Sequence, residues 1–194
     1  MNGDSSAIST GLSTAKAEDA DVAITVTGTN PTVLEINAIG AATTGVVTAA
    51  ISGTVTELAE MTTVNTDLIS ITVTNPLSLS QFNTLNAKTG SDLILQGGIS
   101  DSIDNVAPSG TASSFYTAAT TQDADVAITI TGTAPTVAEL NKIASLTTGV
   151  VTASISGNKT TLAGLTTASD DAITMTVTDA VTVAEFNTLD GKTS

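Results

Sequence analysis

The sequence has no cysteine, no histidine and no tryptophan, and aromatic residues make up only 2% of it. Without cysteine, the chain cannot form a disulfide, a thiolate nucleophile or a Cys-ligated zinc site. Without histidine, the Ser-His-Asp and Cys-His catalytic arrangements are excluded. We therefore expect that the protein is not an enzyme and that it has no organic cofactor.

Positive charge is also scarce. Only 5 Lys and Arg residues stand against 19 Asp and Glu residues, which gives a formal net charge of -14. A chain this acidic lacks the cations that bind nucleic-acid phosphates or anionic lipids, so we expect no nucleic-acid partner. No run of about 18 apolar residues is present, and this predicts no insertion into a membrane.

The most informative feature is an internal repeat. Residues 17–90 align without a gap onto residues 121–194, at an offset of about 104 residues, and more than half of the aligned positions are identical. We predict the end of a preceding repeat at 1–16, a first repeat unit of about four rungs at 17–120 and a second of about three rungs at 121–194. A rung is one strand, the helix after it and their connections. All rungs are expected to form one continuous solenoid.

Each unit contains shorter repeats of about 23–26 residues. The segments predicted as strands are β-branched and alternate apolar with hydroxyl residues. They are 22–28, 46–53, 68–75, 92–98, 126–132, 150–157 and 172–179. Between them lie helix-start signals in which a Thr or Ser precedes a Glu or Gln by three residues, which is typical of a capping box. These pairs begin at Thr32, Thr54, Ser78, Thr136 and Thr182.

The order β-α-β-α predicts parallel strands joined by right-handed crossovers. Because apolar residues alternate with hydroxyls, as at Ile69, Ile71 and Val73, one sheet face should be covered by helices and the other open. The predicted fold class is therefore α/β, a right-handed parallel β-α solenoid with leucine-rich-repeat-like rungs. Tandem β-sandwich domains are the alternative, although they leave the capping boxes unexplained.

The expected core is thin because aromatic residues are few. Val, Ile, Leu and Ala should fill it, with Phe82, Phe115 and Phe186 as the large side chains. In the helices, the spacing predicts inward faces at Val137, Leu140 and Ile143, and at Val183, Phe186 and Leu189. Residues 97–121 are the least regular segment, which we interpret as a fourth rung with a longer return; a flexible linker is the alternative.

Several segments carry a family resemblance, among them AITVTGTNPTVLEINAI, TTGVVTA, VAELNKI and ITMTVTDAVTVAEFNTLDGKTS. They resemble repeat units of very large secreted bacterial proteins, especially cyanobacterial ones, described as β-strand-repeat, haemolysin-type or cell-surface proteins. The resemblance implies an extracellular or cell-surface location. Some proteins of this kind carry glycine-rich nonapeptide calcium repeats, which this chain lacks.

Two sets of residues are candidate sites. Aspartates precede many strands, and paired ones at Asp19, Asp21, Asp123 and Asp125 suggest calcium, which prefers oxygen ligands. The competing interpretation is turn chemistry, which we favour because each rung supplies only one or two carboxylates. The second set is a surface-binding face made of strand hydroxyls, which is also explained by the strand propensity of Thr. Its members are Thr25, Thr27, Thr48, Ser52, Ser70, Thr72, Thr74, Thr129, Thr131, Thr152, Ser156, Thr174, Thr176 and Thr178.

Three functions follow from this pattern. The first is a structural repeat segment that assembles with copies of itself, or with adjacent repeats, into a fibre, an S-layer or a matrix. The second is a passive spacer in a giant adhesin. The third is binding of ice or another surface through the Thr-rich face of the sheet.

Overall fold

The computed structural model describes residues 1–8, 11–12, 19–28 and 30–194. The rest, which includes parts of the predicted segment 1–16 and of the start of the first copy, lie outside the described residues. Every strand pair that is formed is parallel, and the strands make two sheets, ordered β1-β2-β3-β4-β5 and β6-β7-β8-β9. No helix among the described residues is long and apolar enough to cross a membrane.

The chain divides into two compact units, the first of residues 1–76 and 80–96 and the second of residues 77–79 and 97–194. The strands are β1 Asn2–Gly3, β2 Ile24–Val26, β3 Val47–Gly53, β4 Leu68–Val73, β5 Leu93–Ile94, β6 Ile99–Ser102, β7 Ile128–Thr131, β8 Val151–Gly157 and β9 Ala172–Val177. After residue 30 the helices are α1 Val33–Ala42, α2 Val55–Ala59, α3 Leu79–Asn86, α4 Ile103–Val106, α5 Ser114–Gln122, α6 Val137–Ala144, α7 Lys159–Leu162 and α8 Val183–Asp190. A 3-10 turn, Pro108–Gly110, lies between α4 and α5.

This arrangement confirms the α/β fold class and differs from the antiparallel pairing that a β-sandwich requires. The predicted alternation is also confirmed in the central strands. In β4, Ile69, Ile71 and Val73 are fully buried, whereas Ser70 and Thr72 are only partly so. The two copies keep the same register, since Ala49 lies opposite Ile69 in the first sheet and Ala153 opposite Ile173 in the second.

Capping boxes start the helices at Thr32, Thr54, Thr136 and Thr182, as predicted. In each, the Thr hydroxyl accepts a hydrogen bond from the backbone of a Glu three residues on, and that Glu carboxylate accepts from the Thr backbone N–H. Two N–H groups that a helix start leaves unpaired are thereby satisfied. In α7 the second copy replaces Thr54 by Asn158, which caps Thr161 N–H at 2.8 Å.

Buried threonines in the helix-to-strand connections bind the backbone of the preceding rung. The Thr43 hydroxyl donates to the carbonyl oxygen of Val22 at 2.7 Å and accepts from the N–H of Gly45 at 3.0 Å. Thr147 makes the same two bonds in the second copy. Thr89 donates to the carbonyl of Ile69 at 2.7 Å and accepts from its N–H at 2.9 Å. Each of these connections therefore satisfies main-chain groups about 20 residues earlier.

Asparagines on the helical side make the equivalent bonds in the forward direction. The Asn37 side-chain amide donates to the carbonyl of Glu60 at 2.9 Å and accepts from Thr62 N–H at 2.7 Å. Asn141 repeats this pair of bonds with Gly164 and Thr166. Both sides of a rung are therefore tied to a neighbouring rung by side-chain-to-backbone hydrogen bonds. We call the whole set the rung-to-rung ladder.

Some sequence predictions about the core were wrong. Phe82 is buried as expected, but Phe115 is 44% exposed, and its neighbour Tyr116 occupies the core instead, with its hydroxyl donating to the carbonyl of Ile143 at 3.1 Å. In α8, Leu189 is buried as predicted, but Val183 and Phe186 are exposed. The segment predicted as one strand at 92–98 holds β5, and a separate strand, β6, follows it.

Glycines set how closely consecutive rungs approach. A Cβ atom at Gly45 would lie 2.6 Å from the carbonyl oxygen of Val22 and closer still to that of Asp21, and Gly149 meets the same obstruction from Asp125 and Val126. In contrast, a Cβ at Gly40 would meet only the Thr63 methyl at an ordinary 3.7 Å.

We predict that Gly45→Ala lowers the free energy of unfolding by more than about 2 kcal/mol, because a backbone-to-backbone contact must open. The matched substitution Gly40→Ala, inside α1, should be neutral or stabilise by up to about 1 kcal/mol. Urea unfolding followed by circular dichroism measures both. Equal effects of the two substitutions would contradict the proposed close contact.

Candidate functional site

The structure does not gather the candidate calcium ligands. Asp19, Asp21 and Asp125 are exposed and Asp123 is half-buried, and no group of three or more acidic side chains among the described residues can hold a metal ion. Asp19 and Asp21 do interact, since a hydrogen bond and the charge of Asp21 raise the pKa of Asp19. Calcium binding stays a prediction that these positions do not strengthen.

Two other aspartates bind the backbone of a neighbouring strand, which the sequence did not indicate. Asp67 is buried, and its carboxylate accepts from the N–H of Val47, on the neighbouring strand, at 2.9 Å and from Val64 N–H at 3.2 Å. Asp171 repeats this with Val151 and Ala168, both at 2.8 Å. The expected turn chemistry accounts for the local bond only. The bond to the adjacent strand belongs to the rung-to-rung ladder.

The predicted hydroxyl face is real but interrupted. Thr25 lies opposite Thr48, and Ser52 opposite Thr72, so parts of two hydroxyl rows form in the first sheet. Apolar residues break both rows, because the next partner of Thr48 is Leu68 and that of Thr72 is Ile94, each about half exposed. In the second sheet Thr129 faces Thr152, whose other partner is Ala172, and Ser156 faces Thr176.

The remaining predicted members of this face are also on the surface. Thr27, Thr74, Thr131, Thr174 and Thr178 are exposed and Ser70 is half-buried. Their side chains are therefore at least partly exposed to solvent, although they do not form unbroken rows, and the Thr74 hydroxyl donates to the carbonyl of Gly53 at 3.1 Å. Surface binding through this face stays a prediction.

The surface grooves described along the helices do not bring two carboxylates together. Four grooves lie along the helices, and each contains a single carboxylate: Glu35, Glu57, Glu60 or Glu185. Three of these four close a capping box and are already hydrogen-bonded to a Thr. Paired carboxylates of the kind used in acid-base catalysis are thus not gathered in these grooves.

An exposed apolar surface lies on the last rung of the second copy. We call Val181, Val183 and Phe186 the terminal patch; they are 38%, 78% and 56% exposed. Helical spacing predicted Val183 and Phe186 to be core residues, so the sequence did not indicate this patch. The equivalent residues of the first copy, Leu77, Leu79 and Phe82, are buried, so this surface is exposed in the second copy alone.

The carboxylate with the most perturbed pKa, that of Glu185, lies on this same rung. The backbone N–H of Thr182, the ammonium group of Lys159 and the Thr182 hydroxyl together lower the pKa of Glu185 to about 2. The Lys159 Nζ lies 3.0 Å from Glu185 Oε1. Backbone bonds from the capping Thr lower the pKa of Glu35 and Glu57 in the same way. These carboxylates favour the folded state when they are ionised.

We predict that stability falls as the pH drops from about 4.5 towards about 2. A depressed carboxyl pKa adds stability above the unfolded value of 4.5, and this is lost as pH falls through the folded value. Thermal melts across this range should show a smaller loss for Glu185→Gln, which introduces the residue found at the equivalent Gln81. Identical pH profiles for the two proteins would refute the role of Glu185.

We also predict that Asp67→Ala destabilises the protein by about 2 to 4 kcal/mol, because two buried backbone N–H groups lose their charged acceptor. The control is Asp92→Ala, at an exposed position before β5, which should change stability by less than about 0.5 kcal/mol. Urea unfolding at neutral pH compares them. A cost at Asp67 no larger than at Asp92 would show that its bond across the strands adds nothing.

Comparison with known proteins gives no relative to argue from. No family model matches the chain, and no curated protein or solved structure is significantly similar to it. The resemblance to repeat units of secreted bacterial surface proteins therefore stays a prediction, and function has to be argued from the contacts of the chain itself.

Proposed function

We propose that this chain is a structural repeat segment of an extracellular or cell-surface protein. In this proposal the rungs stack as a right-handed parallel β-α solenoid, and the segment associates with copies of itself or with adjacent repeats into a fibre, layer or matrix. The protein has no catalytic role in this proposal, and its partner is more of the same repeat.

The observation that carries this proposal is the rung-to-rung ladder. In both copies, side chains placed about 20 to 25 residues apart satisfy the backbone of a neighbouring rung, as Thr43 does for Val22 and Thr147 for Val126. Repeat proteins depend on such nearest-neighbour interfaces, because a single rung buries too little to be stable alone. The polar groups of these residues thus form hydrogen bonds that hold neighbouring rungs together.

Composition supports the location and the absence of catalysis. The capping carboxylates have structural partners, and the chain offers no histidine or cysteine for nucleophilic chemistry. A highly acidic surface that is free of cysteine suits the outside of a cell, where the resembling repeat proteins occur. The same ladder also suits the passive spacer of an adhesin, which would hold its neighbours in the same chain and stay monomeric.

Self-association distinguishes the assembling segment from the spacer. Because each chain carries a formal charge of -14, copies repel at low ionic strength. We expect size-exclusion chromatography with light scattering to show oligomers that grow with protein concentration and as salt rises from about 0.05 M to about 1 M, where charges are screened beyond about 3 Å. Negative-stain images should then show repeating assemblies. A monomer at every concentration and salt would exclude self-assembly.

A further inference from the structure

The two copies differ in what lies beside their last long strand. In the first unit, β5 pairs in parallel with the outer edge of β4, with Leu93 opposite Ile71 and Ile94 opposite Thr72. In the second unit, β9 is the last strand of its sheet, and no described strand pairs with its outer edge. A strand at the edge of a sheet leaves a row of backbone N–H and carbonyl groups available for another chain.

The side chains beside this strand are also buried in the first copy and exposed in the second. Phe82, Leu79 and Leu77 are 1%, 2% and 1% exposed, whereas their equivalents Phe186, Val183 and Val181 form the terminal patch. The equivalence is set by the repeat, in which FNTL occurs at 82–85 and again at 186–189. The same helix face is therefore core in one copy and surface in the other.

The contacts of the first copy show what kind of segment this surface fits. Leu77 forms a parallel bridge with Ile99, and the backbone N–H of Leu79, which starts α3, donates to Asp101 Oδ2 at 2.9 Å. Leu93 and Leu95 are buried as well. Residues 92–101 thus supply buried apolar side chains from β5 and, after a turn at 96–97, a carboxylate from β6 that binds the start of α3, where the helix dipole favours negative charge.

We propose that the outer edge of β9 and the terminal patch together bind, in parallel, a strand-forming segment of another polypeptide with the chemistry of residues 92–101. The first apolar residue of that segment lies opposite Met175, a later one bridges to Val181, and its apolar side chains together cover the terminal patch. Its carboxylate then accepts from the N–H of Val183, which starts α8. This is strand addition to an open sheet edge, with backbone bonds giving affinity and side chains giving specificity.

The parallel direction and the carboxylate distinguish this occupant from a general apolar ligand. An apolar molecule would cover Val183 and Phe186 but would leave the edge of β9 and the start of α8 unpaired. The inference rests on the proposed function, because it takes the occupant to be a segment of the same repeat type. It names the surface and the segment, which the proposed function leaves open.

The test is binding of a synthetic peptide of residues 90–103, labelled with fluorescein, to the full chain. Anisotropy is measured at protein concentrations and low salt at which the chain is monomeric. We expect saturable binding that is weakened at least about tenfold by Val183→Asp combined with Phe186→Asp, a loss of about 1.4 kcal/mol or more. Both residues are exposed, so circular dichroism should show an unchanged fold. Leu34→Asp, at an equally exposed apolar residue of α1, is the matched control and should bind as the wild type does.

Peptide variants test the predicted contacts. Leu93→Ser with Leu95→Ser should abolish binding, and Asp101→Ala should weaken it. No saturable binding, or equal binding to the patch variant and the wild type, would overturn the proposal. Because the peptide is measured on monomers, its binding is independent of self-assembly. A chain that assembles but does not bind the peptide would refute this surface alone, and a monomeric chain that binds it would refute only self-assembly.

A second measurement does not depend on a free peptide. Residues 91–122 are repeated after Ser194, so that the segment is supplied within the chain. We expect a higher Tm and slower amide hydrogen exchange in β9. The same extension with the two leucine substitutions should give neither effect. An extension that leaves β9 exchange unchanged would contradict the proposed docking.

Discussion

The structure depends on buried side chains that hydrogen-bond the backbone of a neighbouring rung. A parallel sheet needs a long crossover between its strands, and each crossover brings unpaired main-chain groups to the ends of the strands. Thr43, Asp67 and Thr89 meet this need in turn along the first copy. No buried side-chain nitrogen or oxygen in the described part of the chain is left without a partner. A core nearly free of aromatic residues is thus combined with buried polar side chains that have hydrogen-bond partners.

The sequence predicted the parts of the fold that have a period. Alternating strands, capping boxes and the 104-residue repeat all have local signatures, and strand positions such as 46–53 and 68–75 agree closely with β3 and β4. Irregular segments were harder, because β6 begins only a few residues after β5, and the Gly97-Gly98 turn between them was interpreted as the end of one strand rather than as the start of another. Tyr116 was missed in favour of Phe115, since a one-residue shift on a short helix decides which side chain is buried.

The candidate sites were predicted less well, for a physical reason. Aspartates before strands look alike in sequence, whether they are exposed as Asp21 is or buried as Asp67 is. Only the position of the adjacent strand decides which carboxylate finds backbone donors. The terminal patch was likewise invisible, because Val183 and Phe186 follow the same helical pattern as Leu79 and Phe82. Their exposure depends on a strand beside β9, and periodicity within one rung does not report it.

The close approach at Gly45 and Gly149 has a consequence for how the two copies have diverged. The stretch Thr-Thr-Gly-Val-Val-Thr-Ala is identical at 43–49 and 147–153, although the helices that precede it differ at many positions. A helix facing solvent accepts exchanges such as Ala38 for Lys142, since nothing packs tightly against them. The connection from helix to strand does not accept such exchanges. Its Thr side chain and its glycine, which has no Cβ, contact main-chain atoms of the preceding rung, and these atoms do not change with the sequence. A comparison of the two copies therefore distinguishes the residues that determine how the rungs pack from those that only face solvent.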